Sequence, residues 1–139
     1  MFSDLVNQLT IEERFAHAQI MVAVAAIDGE LVQEELVFIE SIMGKSMLHP
    51  EMRVDVRNTL SHPVELEKSI QMLSSKAKKL ALRDAILLSA CDGEYDKKEI
   101  RIINKIAKIA DVNKEKLSQL YEWVGDFWTC YNQTTDIFE

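Results

Sequence analysis

The chain has 139 residues, a net charge of −7 and a sequence pI near 5.0. That length suits one domain with a core of its own. A surface this acidic repels phosphate backbones and anionic lipid, which argues against nucleic acid and membrane surfaces as partners. Only four Gly and two Pro are present among 47% hydrophobic residues, and those are mostly Ala, Ile, Leu and Met, which favour helix over strand.

In chain order, Ser3 can cap a short helix over residues 4–9. Thr10-Ile11-Glu12-Glu13 reads as a capping box, with Glu13 reaching back, for a very apolar helix over residues 11–27. Asp28-Gly29 breaks it, since glycine readily takes the positive φ that ends a helix. A second helix over residues 33–43 places Leu36, Ile39, Ile42 and Met43 on one face, and Gly44 ends it. His49-Pro50-Glu51 supplies a cap, a first-position proline and a first-turn acid for a helix to residue 60. Ser61-His62-Pro63 repeats that signal for a helix to residue 73, and Ser74-Ser75 opens a long helix to Cys91. Asp92-Gly93 breaks that helix, and Asp96 with Glu99 caps the next, which runs to residue 110. Asn113 caps a last helix carrying Leu117, Leu120, Tyr121 and Val124, continued by Trp123, Phe127, Trp128 and Tyr131. From residue 132 the chain is expected to fray, with Phe138 as a docking residue. No segment alternates with period two for long, and no apolar run approaches a membrane span.

Residues 25–43 align with residues 89–107 at an offset of 64 without a gap. The identities are Ala26/Ala90, Asp28/Asp92, Gly29/Gly93, Glu30/Glu94, Glu35/Glu99, Ile39/Ile103 and Ile42/Ile106. The same offset sets His49 over Asn113 and Glu51 over Glu115, both at helix starts. The expected fold is therefore all-α: a compact bundle of about seven to eight helices, one domain over residues 1–139, with repeat cores 11–60 and 75–124 related by a pseudo-two-fold axis.

Each turn reads D-G-x5-E, the second half of an EF-hand loop. The first and third ligand positions would be Val24 and Ala26, or Leu88 and Ala90, which cannot bind a cation, so neither turn is an EF-hand. A looser oxygen site for Ca²⁺, Mg²⁺ or Mn²⁺ remains open at Asp92, Glu94, Asp96 and Glu99. The first turn offers Asp28, Glu30 and Glu35, with Glu34 beside them, but has Val32 where the second has Asp96, so the second should bind more tightly. The competing reading makes these residues helix caps and Asx turns with no ion.

The paired A-x-D-G-E turns, each followed by an acidic position and an amphipathic helix, resemble the TerB-like family of tellurite-resistance proteins. Membrane-anchored co-chaperones of the DjlA type carry a related domain. The resemblance covers roughly residues 11–124. It implies a pseudo-symmetric helical fold and a cytoplasmic, non-enzymatic role in tellurite and chemical stress. It further implies divalent-cation binding at Asp28, Glu30, Glu35, Asp92, Glu94 and Glu99, and docking to other stress-response proteins, some at the membrane.

Other residues have plainer expectations. Cys91 and Cys130 make no CxxC pair, and Cys91 reads as a buried thiol in a reducing cytoplasm. The segment MFSDLVNQLTIEERF is acidic and amphipathic, unlike a signal peptide. His17, His49 and His62 pair neither with each other nor with carboxylates at ligand spacing, and His17 could be half-buried. There is no Gly-rich phosphate loop or local catalytic triad, so no enzyme is expected. Lys76, Lys78, Lys79 and Arg83 read as a solvated helix start or a patch for an acidic partner, and Met43, Met47, Met52 and Met72 as core filler. The aromatic set Trp123, Phe127, Trp128 and Tyr131 reads as core closure or, if exposed, as a protein-partner or homodimer surface.

Overall fold

Helices begin where a side chain can take over amides that have no intrahelical partner. The computed structural model describes all residues except Met1, Phe2, Glu30 and Asp92 and, of Asp28, the backbone alone. In α1, Ile11–Ala25, Thr10 Oγ1 accepts from the Glu13 amide at 3.2 Å. In α5, Ser75–Ser89, Ser74 Oγ accepts from the Ala77 amide at 3.2 Å. Helix α6, Lys97–Ile109, is capped by Asp96, whose Oδ1 accepts from the Lys98 amide at 2.9 Å. Its counterpart α2, Gln33–Lys45, starts at Val32, which has no capping side chain. There Glu35 Oε1 accepts from the Val32 amide at 3.1 Å. Helix α3, Pro50–Asn58, opens on proline. Helix α7, Lys114–Phe138, opens under Asn113, whose Oδ1 accepts from the Lys116 amide at 2.8 Å.

The 64-residue offset therefore holds for the backbone as well as the sequence. It maps both ends of α1 onto those of α5, both ends of α2 onto those of α6, and the first residue of α3 onto that of α7. The left-handed residues obey it too: Gly29 (φ 83) with Gly93 (φ 91), and Met47 (φ 55) with Asp111 (φ 57). Two short pieces lead into the repeats: a 3₁₀ turn at Leu5–Gln8, and α4 at Leu66–Gln71.

The fold is an all-helical, pseudo-two-fold bundle of seven helices, with no strand among the described residues. Helices α1 and α5 pack against each other at its centre. Both are buried on most sides, through Ile20, Met21, Val22 and Val24 in one and Leu82, Ala85, Ile86 and Leu88 in the other. That is why their C-terminal halves, residues 20–25 and 85–88, are apolar all round rather than striped. Helices α2 and α3 pack on α1, α6 and α7 pack on α5, and α4 sits on α1 and α6. Among the described residues, no helix is long and apolar enough to cross a membrane.

Several local expectations are corrected. Asp4, not Ser3, caps the first turn, with Oδ2 accepting from the Val6 amide at 3.0 Å. Glu13 does not close a box on Thr10; its Oε2 accepts from the Ser74 amide at 2.9 Å and so ties the starts of α1 and α5 together. Gly44 lies inside α2, and the chain reverses at left-handed Met47 instead. Helix α4 begins only at Leu66, because Glu65 caps the Lys68 amide at 2.8 Å; Ser61-His62-Pro63 lies before it, outside any helix. Residues 132–138 continue α7 rather than fray, and Phe138 is exposed rather than docked. Of the four methionines, Met43 is buried and Met52 half-buried, while Met47 and Met72 face solvent.

Candidate functional site

The acidic turns come first, because the sequence singles them out. Asp92 and Glu30 lie outside the described residues, and of Asp28 only the backbone is described. Of the other four candidates, Glu35, Asp96 and Glu99 lie at helix starts and Glu94 in the loop before α6. Asp96 spends one carboxylate oxygen capping α6, and Glu35 spends one on the Val32 amide. Glu99, at the position matching Glu35, is buried like it, and Glu94 is exposed. Helix α6 packs against the 3₁₀ turn Ala26–Asp28, so that turn is also part of the packing. Among the described residues, no three His, Cys, Asp or Glu side chains gather in a set that could hold a metal ion.

A different polar constellation lies inside the bundle. His17 on α1 and Asp84 on α5 are both closed to solvent, with His17 Nε2 2.9 Å from Asp84 Oδ2. An ionised Asp84 can only accept, so the imidazole Nε2–H is the donor. Arg83 Nε donates to Asp84 Oδ1 at 2.8 Å. Its two terminal nitrogens grip Asp4, at 3.1 Å to Oδ1 and 2.8 Å to Oδ2. Lys45 Nζ stands 3.7 Å from Asp4 Oδ2. The chain of charge thus runs from the core to the surface and links α1, α5, α2 and the N-terminal turn.

Burial works to raise both carboxyl pKa values. At Asp4 it is outweighed by the hydrogen bonds from Arg83 and the Val6 amide and by the charges of Arg83 and Lys45, which hold the group at about 2. At Asp84 it is outweighed by the hydrogen bond and charge of His17 and by Arg83, so that group is also held low. Burial disfavours the Arg83 charge, but Asp84 and Asp4 raise its pKa above the ordinary arginine value. Arg83 is thus not part of a solvated lysine cluster, and His17 is not half-buried and unpaired.

This constellation breaks the repeat. At the 64-residue offset, His17 corresponds to Ala81 and Asp84 to Ile20, an apolar and equally buried pair. The second break is the length of α7. Helix α3 stops at Asn58, whereas α7 runs 16 residues past the matching point. Those added residues carry Trp123, Phe127, Trp128 and Tyr131.

The two breaks meet. The α7 extension and α2 form the walls of a groove of about 720 Å³, floored by Leu87 and Ile42. Asp4, Lys45 and Arg83 close one end, above Asp84. Trp128 anchors the wall: its Nε1 donates to the Leu87 carbonyl at 3.1 Å, and its ring lies 6.4 Å from that of Phe38. Phe127 packs edge-on against Trp128 at 5.1 Å and stacks on Tyr131 at 6.3 Å. Trp123 (44% exposed), Phe127 (39%) and Tyr131 (66%) remain open to solvent, as does Val37 on the facing wall (58%). The aromatic set therefore divides, with Trp128 closing the core and the other three lining an open surface. Cys91 is half-buried and also lines the groove, in place of the buried thiol expected; Cys130 is exposed, and neither is in a disulfide.

No protein-family model matches the chain, and no curated protein or solved structure matches it.

Proposed function

We propose that this chain is a binding module that takes a protein partner in the groove between α2 and α7 and performs no chemistry of its own. One observation carries the reading: two departures from the duplication, the His17–Asp84–Arg83–Asp4 chain and the aromatic extension of α7, converge on this groove. An apolar cavity with a few converging polar groups is the form a binding site takes, and three exposed aromatic rings are the residue type enriched where proteins meet. The closed setting of His17 and Asp84 suits holding α1 to α5 rather than meeting a substrate.

Both tryptophans of the chain line the groove, so intrinsic emission reports on it. Titration with the neutral apolar dye Nile red should give saturable one-to-one binding with quenched tryptophan emission, lost in Phe127→Glu and in Val37→Glu. Binding that survives both substitutions, or no binding, contradicts the reading.

The TerB-like resemblance supports a second reading, weak divalent-cation binding at the Asp-Gly-Glu turns in a stress-response role. The observation in its favour is that Glu35 and Glu99 are buried carboxylates at matched positions. Calorimetric titration with Ca²⁺, Mg²⁺ and Mn²⁺ tests it; no heat and no change in melting temperature at millimolar ion would exclude it.

A further inference from the structure

Resting on the reading of the groove as the working surface, we infer that its occupant is an amphipathic helix of another protein, apolar along one face and rich in lysine or arginine beside it. The shape argues for a helix. The open wall is a stripe at four-residue spacing, Trp123, Phe127 and Tyr131, which runs about 12 Å along α7. Val37 faces it across the groove. An apolar stripe of that length with Val37 opposite it accepts the i, i+4 and i+7 anchors of a docked helix. A small ligand would leave most of the stripe in water.

The charge argues for basic flanks. From Leu117 to its last residue, α7 contains Glu122, Asp126 and Asp136 and no lysine or arginine. Asp126 is exposed three positions beyond Trp123, hence beside it on the helix surface. On α2, Glu34 is exposed at the groove rim. The two cations at the closed end, Lys45 and Arg83, are already engaged by Asp4, and Arg83 also by Asp84. The charge left around the opening is negative. A second copy would bring the same acidic rim and a net charge of −7 against itself, which opposes self-association.

The test uses the full chain and two synthetic helical peptides with the same leucine face, one flanked by lysines and one by glutamates. Calorimetry should give one-to-one binding of the lysine peptide at least about tenfold tighter than the glutamate peptide, a gap of about 1.4 kcal/mol. The gap should narrow as salt rises. Phe127→Ala should weaken both peptides, and the double variant Glu34→Lys, Asp126→Lys should abolish or reverse the preference. Equal affinities, or a preference unchanged in the double variant, overturn the inference. If Nile red still binds in that case, the groove reading stands and only the occupant is wrong; if neither dye nor peptide binds, both fall. Dimerisation of the chain in sedimentation, lost in Phe127→Glu, overturns the inference in favour of a second copy.

Discussion

His17 and Asp84 meet at 2.9 Å across the central helix pair, in an interior closed to solvent, while their counterparts in the repeat are Ala81 and Ile20. One duplicated core thus holds a charged solution and an apolar solution to the same packing position. Burying two such groups is costly unless both are paired and hydrogen-bonded, and here Arg83 supplies the second partner of Asp84.

The asymmetry predicts a non-additive mutant cycle. Asp84→Ala strands His17 and half of the Arg83 fork in the interior, and should cost about 3–5 kcal/mol in urea unfolding. The double variant His17→Ala, Asp84→Ile copies the other half of the molecule. It should cost less than Asp84→Ala alone, since it also removes the buried imidazole that the single variant leaves without its partner. A double variant less stable than the single one would contradict this account.

Acid stability follows from the same chain. The folded pKa values of Asp4 and Asp84 lie below the value near 3.9 of an unfolded aspartate. A depressed folded pKa contributes stability that is complete above the unfolded pKa and is lost as pH falls through the folded one. For Asp4 that loss falls between about pH 4 and pH 2. Because Asp4 is partly exposed, its share should be no more than about 2 kcal/mol. Circular dichroism unfolding across this range should show a shallower loss of stability in Asp4→Asn than in the natural chain.

The helix caps offer a transplant. Asp96 caps α6, whereas Val32 at the matching position of α2 cannot. Val32→Asp should raise the free energy of unfolding by about 0.5–1 kcal/mol, and Asp96→Ala should lower it by about 0.5–2 kcal/mol. Both effects should appear without any added ion.

Gly29 and Gly93 hold φ of 83° and 91°, and a Cβ added at either would meet no atom within 4 Å. The cost of Gly29→Ala or Gly93→Ala is then backbone strain alone, about 1–2 kcal/mol each in thermal unfolding. Similar losses at the two positions are expected, because the turns share one geometry.

The repeat was legible because its signals are local. Caps at Thr10, Ser74, Asp96 and Asn113 and the glycines after α1 and α5 are set by neighbours within a few residues. The polar chain was not legible, because His17 and Asp84 stand 67 positions apart and only the packing of α1 on α5 joins them. Its one sequence signal is a histidine and an aspartate that stand opposite the apolar Ala81 and Ile20 in the alignment. The spacing of Trp123, Phe127 and Tyr131 revealed an aromatic stripe. Which ring is covered depends on where Leu87 and Phe38 lie, and that is tertiary information. The turns drew the eye by their acids, yet Asp96 and Glu35 hold backbone amides in place.

The groove can be tested residue by residue. Backbone amide shifts, recorded by two-dimensional NMR while the lysine-flanked helical peptide is titrated, locate whatever surface binds it. The account predicts that the largest changes cluster on Val37, Ser41, Leu87, Trp123, Phe127 and Tyr131. Changes concentrated at residues 28–32 and 92–99, or scattered over the acidic surface without saturation, would contradict it.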